Sequence, residues 1–549
     1  MNKKIIYIYL SLSVLLFAGC GDFLEEYAQN ASYIERVDDL DELMLGECYL
    51  QLDDNTLQKL DLLADESQER LIAGNASMTA DATYAHNRGI FGFMENPFTK
   101  LNGDIFNDPF WAPAYKRIAV LNSILQTVTD FETNKASELA QLDRIHGECL
   151  YLRAWNYFLL ANLYGLPYDK TNPDDGGSVT LKTDPAVVDT KFGRNHSSVV
   201  YGQMVTDLTN AVSLLEKGER ASSKRHVTPA ACWALLSRVY LYMEEYGKTV
   251  DAADRVAGYE LWNLASLYAP GNGESFLTTG CPEIIFAQGN SSDLHGGSGI
   301  EISELDIMTF ILTGQIVYIS TVTEWRDSYG VSEETAQLFD DTDLRYSAFF
   351  TRSWRKAYLM NRKYRGHLAV ADPGSESESE TDPITGEKVQ GTATGDPVCG
   401  AASIRYAEVV LNKAEALACN GKAGEAAVLI GDFCQTRYTV QPVIPAGGDD
   451  LIRFIRQERQ KELCYEGHRW FDLRRYAVNS VCPQTTPVRH ILNMVEGSQV
   501  VEAGEVTLAA WSPTIKGAWT LPVPENVTDY CYPNLTNFDR LAGVTQVEY

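Results

Sequence analysis

Hydrophobic residues recur along this chain at helical spacing in three separate blocks. From 111 to 128 they fall at Tyr115, Ile118, Ala119, Leu121, Ile124 and Leu125, the three-and-four rhythm of one helix face. A longer run over 137–164 carries Leu142, Ile145, Cys149, Leu152, Ala154, Tyr157, Leu160, Ala161 and Tyr164, and Gly165 and Pro167 follow it as helix stops. The next block predicts helices over 199–215, 228–243 and 248–257, opened at Thr228. The last predicts helices over 405–418, 423–437 and 450–466, punctuated by Gly421 and by PAGGDD at 445–450. Ala154, Ala161, Ala230, Ala234, Ala414, Ala418 and Ala427 sit on these helices. Small side chains let helix axes approach closely, as stacked helical hairpins require.

Between the helical blocks the texture changes. Residues 166–198 and 270–400 are rich in Gly, Ser, Asp, Pro and scattered aromatics, and loops of that length inside a compact chain are usually functional or disordered. The pattern predicts a mostly α protein: a tetratricopeptide-like helical-repeat scaffold with a loop-rich ligand-binding subdomain, without the strict ~34-residue period of the true repeat. The expected division is a signal segment at 1–19, helical hairpins over 20–265, a loop-rich insertion at 266–400, a helical part at 401–480 and a loop-rich tail at 481–549 packed on the scaffold. Within the insertion, ADPGSESESETDPITGEKVQGTATGD (371–396) alternates hard oxygen donors at Asp372, Glu376, Glu378, Glu380 and Asp382. Calcium is the one cofactor such donors suggest. The plainer alternative is a solvated acidic loop, because the EF-hand register is absent.

Charge narrows the partners. The 549 residues are 45% hydrophobic and 22% charged, with a formal net charge of −28. A chain so acidic repels nucleic acid and anionic membrane surfaces, so neither is an expected partner. The N terminus offers a different route to a membrane. Lys3 and Lys4 precede an apolar run that ends at Phe17, too short to span comfortably, and Ala18, Gly19 and Cys20 follow. Small residues before a cysteine read as a lipobox, with Phe17 bulkier than the usual leucine, and predict lipid on Cys20. A plain secretory signal with an incidental cysteine is the alternative. No Cys-x-x-Cys or Cys-x-x-His pair occurs among the other cysteines, so a structural zinc site has no support. Cys149, Cys232, Cys419 and Cys464 sit among helical neighbours and read as small buried hydrophobes.

Catalytic motifs are sparse. There is no HExxH, GxSxG or Walker loop, and GGSGIE at 296–301 is a glycine-rich loop rather than a dinucleotide fingerprint. Cys464, His468 and Glu466 supply the residue types of a nucleophile, a base and an orienting acid, but Gly467 lies between the first two and breaks a helix there. A hydrolase built on two carboxylates remains open, since sequence spacing cannot exclude one among so many acids.

Four stretches carry more. They are GECLYLRAWNYFLLANLYGLP (147–167), IRYAEVVLNKAEALACN (404–420), IRFIRQERQKELCYEGHRWFDLRR (452–475), and LPVPENV (521–527) followed by YPNLTN (532–537). With the lipobox and GDFLEE behind it, they resemble the SusD/RagB family of outer-membrane nutrient-binding lipoproteins, in the family's order and over nearly the whole mature chain. The ending TNFDRLAGVTQVEY departs from the family's Asn-Pro-rich tail. The resemblance implies a non-enzymatic protein held by the lipid on Cys20, with Asp22, Glu25 and Glu26 behind it, on the outer face of the outer membrane. It implies capture of an oligosaccharide or polysaccharide and delivery to a TonB-dependent SusC-like transporter, over which the protein acts as a hinged lid. Peptide is the alternative ligand, as in a RagB-like branch, and a helical-repeat interaction scaffold the alternative class.

The resemblance also assigns roles. Glu148, Arg153, Arg405, Glu408, Glu458, Arg459, Glu462, Glu466, Gly467, Arg469, Trp470, Asp472 and Arg474 belong to motifs that build the scaffold. Read from spacing alone, Glu458 with Lys461 and Arg459 with Glu462 are i,i+3 pairs on one helix, and Trp470 and Phe471 are large anchors that pack a turn onto the core. The family builds its ligand site from an early and a mid-chain loop. Here TADATYAHNRGIFGF (79–93) offers Tyr84, Asn87, Arg88, Phe91 and Phe93, and the mid-chain segment offers Asn290, Tyr318, Trp325, Arg326 and Tyr329, with Trp354 a further possibility. Aromatic platforms with Asn and Arg at their edges are what a sugar's apolar faces and hydroxyls require.

Overall fold

The computed structural model describes residues 34–50, 56–69, 82–219, 223–265, 276–288, 329–352, 359–361, 363, 380–381, 388–389, 399–400, 402–496 and 499–548. Its main helices are α1 (Val37–Glu47), α2 (Ala82–Phe91), α3 (Trp111–Asp130), α4 (Ala136–Tyr164), α5 (Ser197–Leu215), α6 (Pro229–Tyr242), α7 (Tyr246–Asp254), α8 (Tyr406–Cys419), α9 (Ala423–Gln435), α10 (Gly448–Leu463) and α11 (Arg469–Ala477). The helices follow the hydrophobic rhythm. Thr228 caps α6 by accepting the Ala231 amide at 3.2 Å, with Pro229 at the first helical position where its missing N–H costs nothing. Gly165 ends α4, and its amide donates to the Ala161 carbonyl at 3.1 Å. Each helix packs on the next: α3 on α4, α4 on α5, α5 on α6, α6 on α7, then α7 on α8 and α8 on both α9 and α10. The protein is thus a mostly α, tetratricopeptide-like stack.

Short strands tie the remaining segments to this stack. β1 (Ser67–Glu69) pairs antiparallel with β3 (Tyr329–Val331), and β2 (Ile284–Phe286) pairs antiparallel with β6 (Ile404–Arg405) just before α8. Between β3 and β6, β4 (Phe350–Arg352) and β5 (Leu359–Asn361) form a third antiparallel pair. Three cores result. The largest joins α1 to α6 with Trp470, Trp519 and the C-terminal sheet. A second joins Phe276, Cys281, Phe339, Phe349 and Phe350 of the insertion to Trp262 and Tyr465. A third, with Leu411, Ala414, Ile430, Phe433, Leu451 and Ile455, holds α8, α9 and α10 together.

Three expectations change. The early segment 79–93 is largely helical, as α2, rather than a loop. The predicted helix over 450–466 stops at Leu463, because Tyr465 (φ 61°) and Gly467 (φ 73°) turn the chain through the left-handed region before α11 begins. The tail read as loop-rich carries a three-stranded antiparallel sheet, β7 (Val488–Glu496), β8 (Gln499–Leu508) and β9 (Val544–Glu548), in the order β9–β8–β7. Gly504 sits at the irregularity in that sheet, where a Cβ would stand 2.4 Å from the Val547 carbonyl oxygen.

Candidate functional site

Three parts of the structure hold the chemistry-bearing residues. The first surrounds α2, β1 and β3. Tyr84 lies on α2. Asn87 is buried, and Arg88 forms an ion pair with Glu69 of β1, which stands opposite Tyr329 of β3. The Tyr329 and Phe91 rings meet at 5.0 Å, and Phe91 stacks on His490 of β7 at 3.9 Å. Phe91 and Phe93 are buried, and Tyr329 is only 4% exposed. Early and mid-chain segments therefore do come together here, with Arg88 and Tyr329 on neighbouring elements. Asn290, Tyr318, Trp325, Arg326 and Trp354 lie outside the described residues, as do Cys20 and, Glu380 apart, the acidic positions proposed for calcium. Among the described residues no group of three or more His, Cys, Asp or Glu side chains is placed to hold a metal.

The second part is a network of buried charge at the foot of α10. Its anions are Glu283, Asp343, Glu458, Glu462 and Glu466, and its cations are Arg345, Lys363, Arg405, Arg437 and Lys461. Every member is buried, and the two signs balance, which is the condition for keeping such groups out of water. Arg405 donates to Glu466 through Nε at 2.8 Å, to Glu283 at 2.8 Å and to Glu462 at 2.5 Å. Arg437 reaches Glu283 at 2.5 Å and Glu462 at 2.9 Å. Arg345 spans Asp343 at 2.7 Å and Glu458 at 2.7 Å, and Lys363 binds Glu466 at 2.8 Å together with the carbonyls of Glu462 and Cys464. Burial alone would raise the Glu462 carboxyl; Arg437 and Arg405 overturn that and hold it well below the usual carboxylate range.

A companion cluster joins α10 to α11. Arg459 donates to Asp472 at 2.8 Å and to Asn412 at 2.7 Å, so its partner is not the Glu462 that helical spacing suggests. Glu415 accepts from Arg456 and Arg475. Burial opposes the effect, but the two arginines draw its carboxyl down to about 2. Arg469 clamps Asp65, Glu408 takes both arms of Arg238, and Arg153 is bidentate to Asp207. Arg474 caps the end of α4 by donating to the Asn162 and Gly165 carbonyls. Glu148 accepts from Arg144, Tyr49 and His226. Trp470 is buried and stacks on Trp519 with ring centroids 4.9 Å apart.

These contacts leave the Cys464–His468–Glu466 grouping without chemistry. Burial pushes the Cys464 thiol up to about 12, and its Sγ donates to the Lys461 carbonyl at 3.2 Å. Burial also drives His468 well below the ordinary imidazole value. Both oxygens of Glu466 are held by Arg405, with Lys363 on one of them. Reading along the chain missed Glu283, Asp343, Arg345, Lys363 and Arg437, whose ion-pair partners, the neighbouring Asp343 and Arg345 apart, are distant in sequence. Isolated charges inside otherwise apolar windows, such as Glu283 in CPEIIF, are the signal that marks them.

The third part is a groove of about 390 Å³ between α4 and α5, lined among others by His146, Arg153, Gln203, Asp207 and Asn210. Arg153 already donates to both Asp207 carboxylate oxygens there, and Gln203 to one of them.

A stack of paired helices with an insertion locked to it by buried charge defines a tetratricopeptide-like scaffold protein. Comparison with known families makes this specific. Residues 22–241 match the family model for starch-binding proteins associating with the outer membrane, and residues 258–537 match the SusD family. The chain belongs to the SusD family, whose members are binding proteins for carbohydrate, associated with the outer membrane. Solved structures share the fold. A SusD superfamily protein from Bacteroides thetaiotaomicron VPI-5482 is 22% identical with TM-score 0.60, covering 91% of this chain and 99% of its own. A SusD-like carbohydrate binding protein from Bacteroides vulgatus ATCC 8482 is 17% identical with TM-score 0.59, covering 91% and 97%. A laminarin binding SusD-like protein is 20% identical with TM-score 0.52, covering 91% and 96%. No curated protein sequence matches the chain. Among the described residues no helix is long and apolar enough to cross a membrane.

Proposed function

We propose that this protein is a lipid-anchored, surface-exposed outer-membrane protein that captures an oligosaccharide or polysaccharide and hands it to a TonB-dependent SusC-like transporter, closing over it as a lid. The observation that carries the reading is the match to the family over both halves of the chain, with a laminarin-binding protein among those that share the fold. The geometry is compatible with it. Lys363 and Arg345, both from the mid-chain insertion, are fastened to α10 through the Glu462 carbonyl and the Glu458 carboxylate. On this reading Tyr84, Asn87, Arg88, Asn290, Tyr318, Trp325 and Tyr329 contribute the ligand site, and lipid on Cys20 supplies the anchor.

Two experiments test it. The mature protein without lipid is titrated with neutral glycans and with peptide libraries. Glycan binding that falls threefold to tenfold in Trp325→Ala or Tyr84→Ala is expected, since one stacked aromatic is worth about 0.5–1.5 kcal/mol beyond area burial. Peptide binding without glycan binding would replace the ligand, and a protein partner alone would replace the class. Fractionation of cells that express Cys20→Ala is expected to release the protein from the membrane; retention without the transporter would overturn the anchor.

A further inference from the structure

The exposed rings Tyr530 and Tyr532 are out of keeping with a chain that buries Tyr151, Tyr157, Tyr164 and Tyr201 completely. Tyr530 is 52% exposed and Tyr532 65%, beside Val187 at 101% and Val188 at 48%. They lie just past the LPVPENV stretch, against the extended segment 183–191, whose residues are nearly all exposed. The two segments are laced together. The Tyr530 hydroxyl donates to Asp189, Lys191 Nζ donates to the Tyr532 carbonyl at 2.8 Å, and Asn534 Nδ2 donates to the Lys191 carbonyl at 2.9 Å. Further along both segments Arg194 lies over the Phe538 ring at 4.4 Å. The Tyr530 ring is therefore held through its hydroxyl and Tyr532 through its backbone carbonyl, while more than half of each residue's surface meets water, so a ligand that stacks there meets a backbone already ordered.

We propose that Tyr530 and Tyr532, with Asp189 and Asn534 at their rim, form a second platform for a neutral glycan chain, apart from the site assigned above to the early and mid-chain segments. The chemistry favours this occupant. Exposed aromatic surface takes the C–H face of a sugar, and Asp189, Asp529 and Asn534 beside it offer partners for hydroxyls. The charges here are mixed, Asp189 and Asp529 against Lys191, with no cluster of cations to draw an anionic polymer. A second point of attachment adds little to a short oligosaccharide but raises the hold on a long chain that reaches both sites.

The inference rests on the reading of the protein as a glycan binder, and the test separates the two. Laminarin and soluble starch serve as neutral polymers in affinity electrophoresis with the full mature chain, wild type and Tyr530→Ala/Tyr532→Ala. The double variant is expected to bind the recognised polymer about threefold to tenfold more weakly with an unchanged melting temperature, and Tyr532→Trp to bind as wild type does. If the double variant does not fold, the single change Tyr532→Ser carries the same expectation. A variant that binds polymer as tightly as wild type overturns the platform and leaves the glycan reading standing. Wild type that binds neither polymer nor any other neutral glycan of an array overturns both. Full polymer affinity with lost co-purification of a transporter assigns this face to a protein and overturns the platform.

Discussion

From Gly147 to Tyr164 every residue of α4 is buried, and among them only Glu148, Arg153, Asn156 and Asn162 are charged or amide side chains. Helix α10 is buried on quite different terms. It keeps Arg456, Glu458, Arg459, Lys461 and Glu462 out of water, with Leu451, Ile452, Ile455 and Leu463 as its apolar companions. What α4 asks of its neighbours α3 and α5 is apolar surface of the right volume, and many side chains can supply that. What α10 asks is a set of guanidinium and ammonium groups at fixed positions, and these come from segments around 345, 363, 405 and 437. Buried ion pairs add little over good apolar packing but cost a great deal when one partner is removed. The N-terminal stack is thus tolerant in its chemistry, while the joint between α10 and the insertion is exacting.

The contrast can be broken most directly at Glu462. Glu462→Gln keeps the shape and removes the charge shared by Arg405, Arg437 and Arg345, and a loss of about 3–5 kcal/mol is expected in chemical denaturation. A loss below 1 kcal/mol would show that the network is not exacting. Trp470→Ala on α11 is expected to cost roughly 3–5 kcal/mol through lost burial and the cavity left against Trp519, with ligand affinity unchanged in the folded fraction. Stability unchanged with binding lost would move Trp470 into the ligand site. On α4 the matching conservative change, Leu152→Met at a buried position, is expected to cost less than about 1.5 kcal/mol; a loss as large as that of Glu462→Gln would erase the difference between the regions.

The smallest effect concerns pH. The hydrogen bond from His226 to Glu148 raises the imidazole above its ordinary 6.5, against the opposing pull of burial. A raised histidine contributes stability in full below 6.5 and loses it as pH climbs through the folded value. The stability difference between wild type and His226→Gln is therefore expected to be largest below 6.5 and to shrink at higher pH. A difference that grows with pH would contradict the pairing.

Much of the helical stack was legible because its signal is local. The rhythm of Leu142, Ile145, Cys149 and Leu152 marks α4 within a residue of its start and at its end. The C-terminal sheet was missed although VRHILNMVE and QVVEAGEVTL are rich in β-branched residues and separated by Gly497 and Ser498, a hairpin signal. Helix α2 was hidden by Gly89 within it and Gly92 just past its end, which read as loop. In the candidate ligand region Tyr329 and Phe91 were legible as aromatic residues, but not as the buried pair that they form.

By itself the sequence determined the class of fold, the places of most long helices and, through four motif stretches, the family. Helix formation and amphipathic burial are decided within a few turns of chain, so a window of residues suffices to read them. Glu458 and Lys461 pair one helical turn apart as their spacing predicts, at 3.3 Å, but the long-range partners were decided only by the tertiary structure. Arg405 meets Glu283 across 122 positions and Glu462 across 57, and Arg459 passes over Glu462 on its own helix to reach Asp472. A guanidinium in a low-dielectric interior takes the carboxylate that the fold delivers to it, because leaving either charge alone there costs more than any preference for a helical neighbour can return.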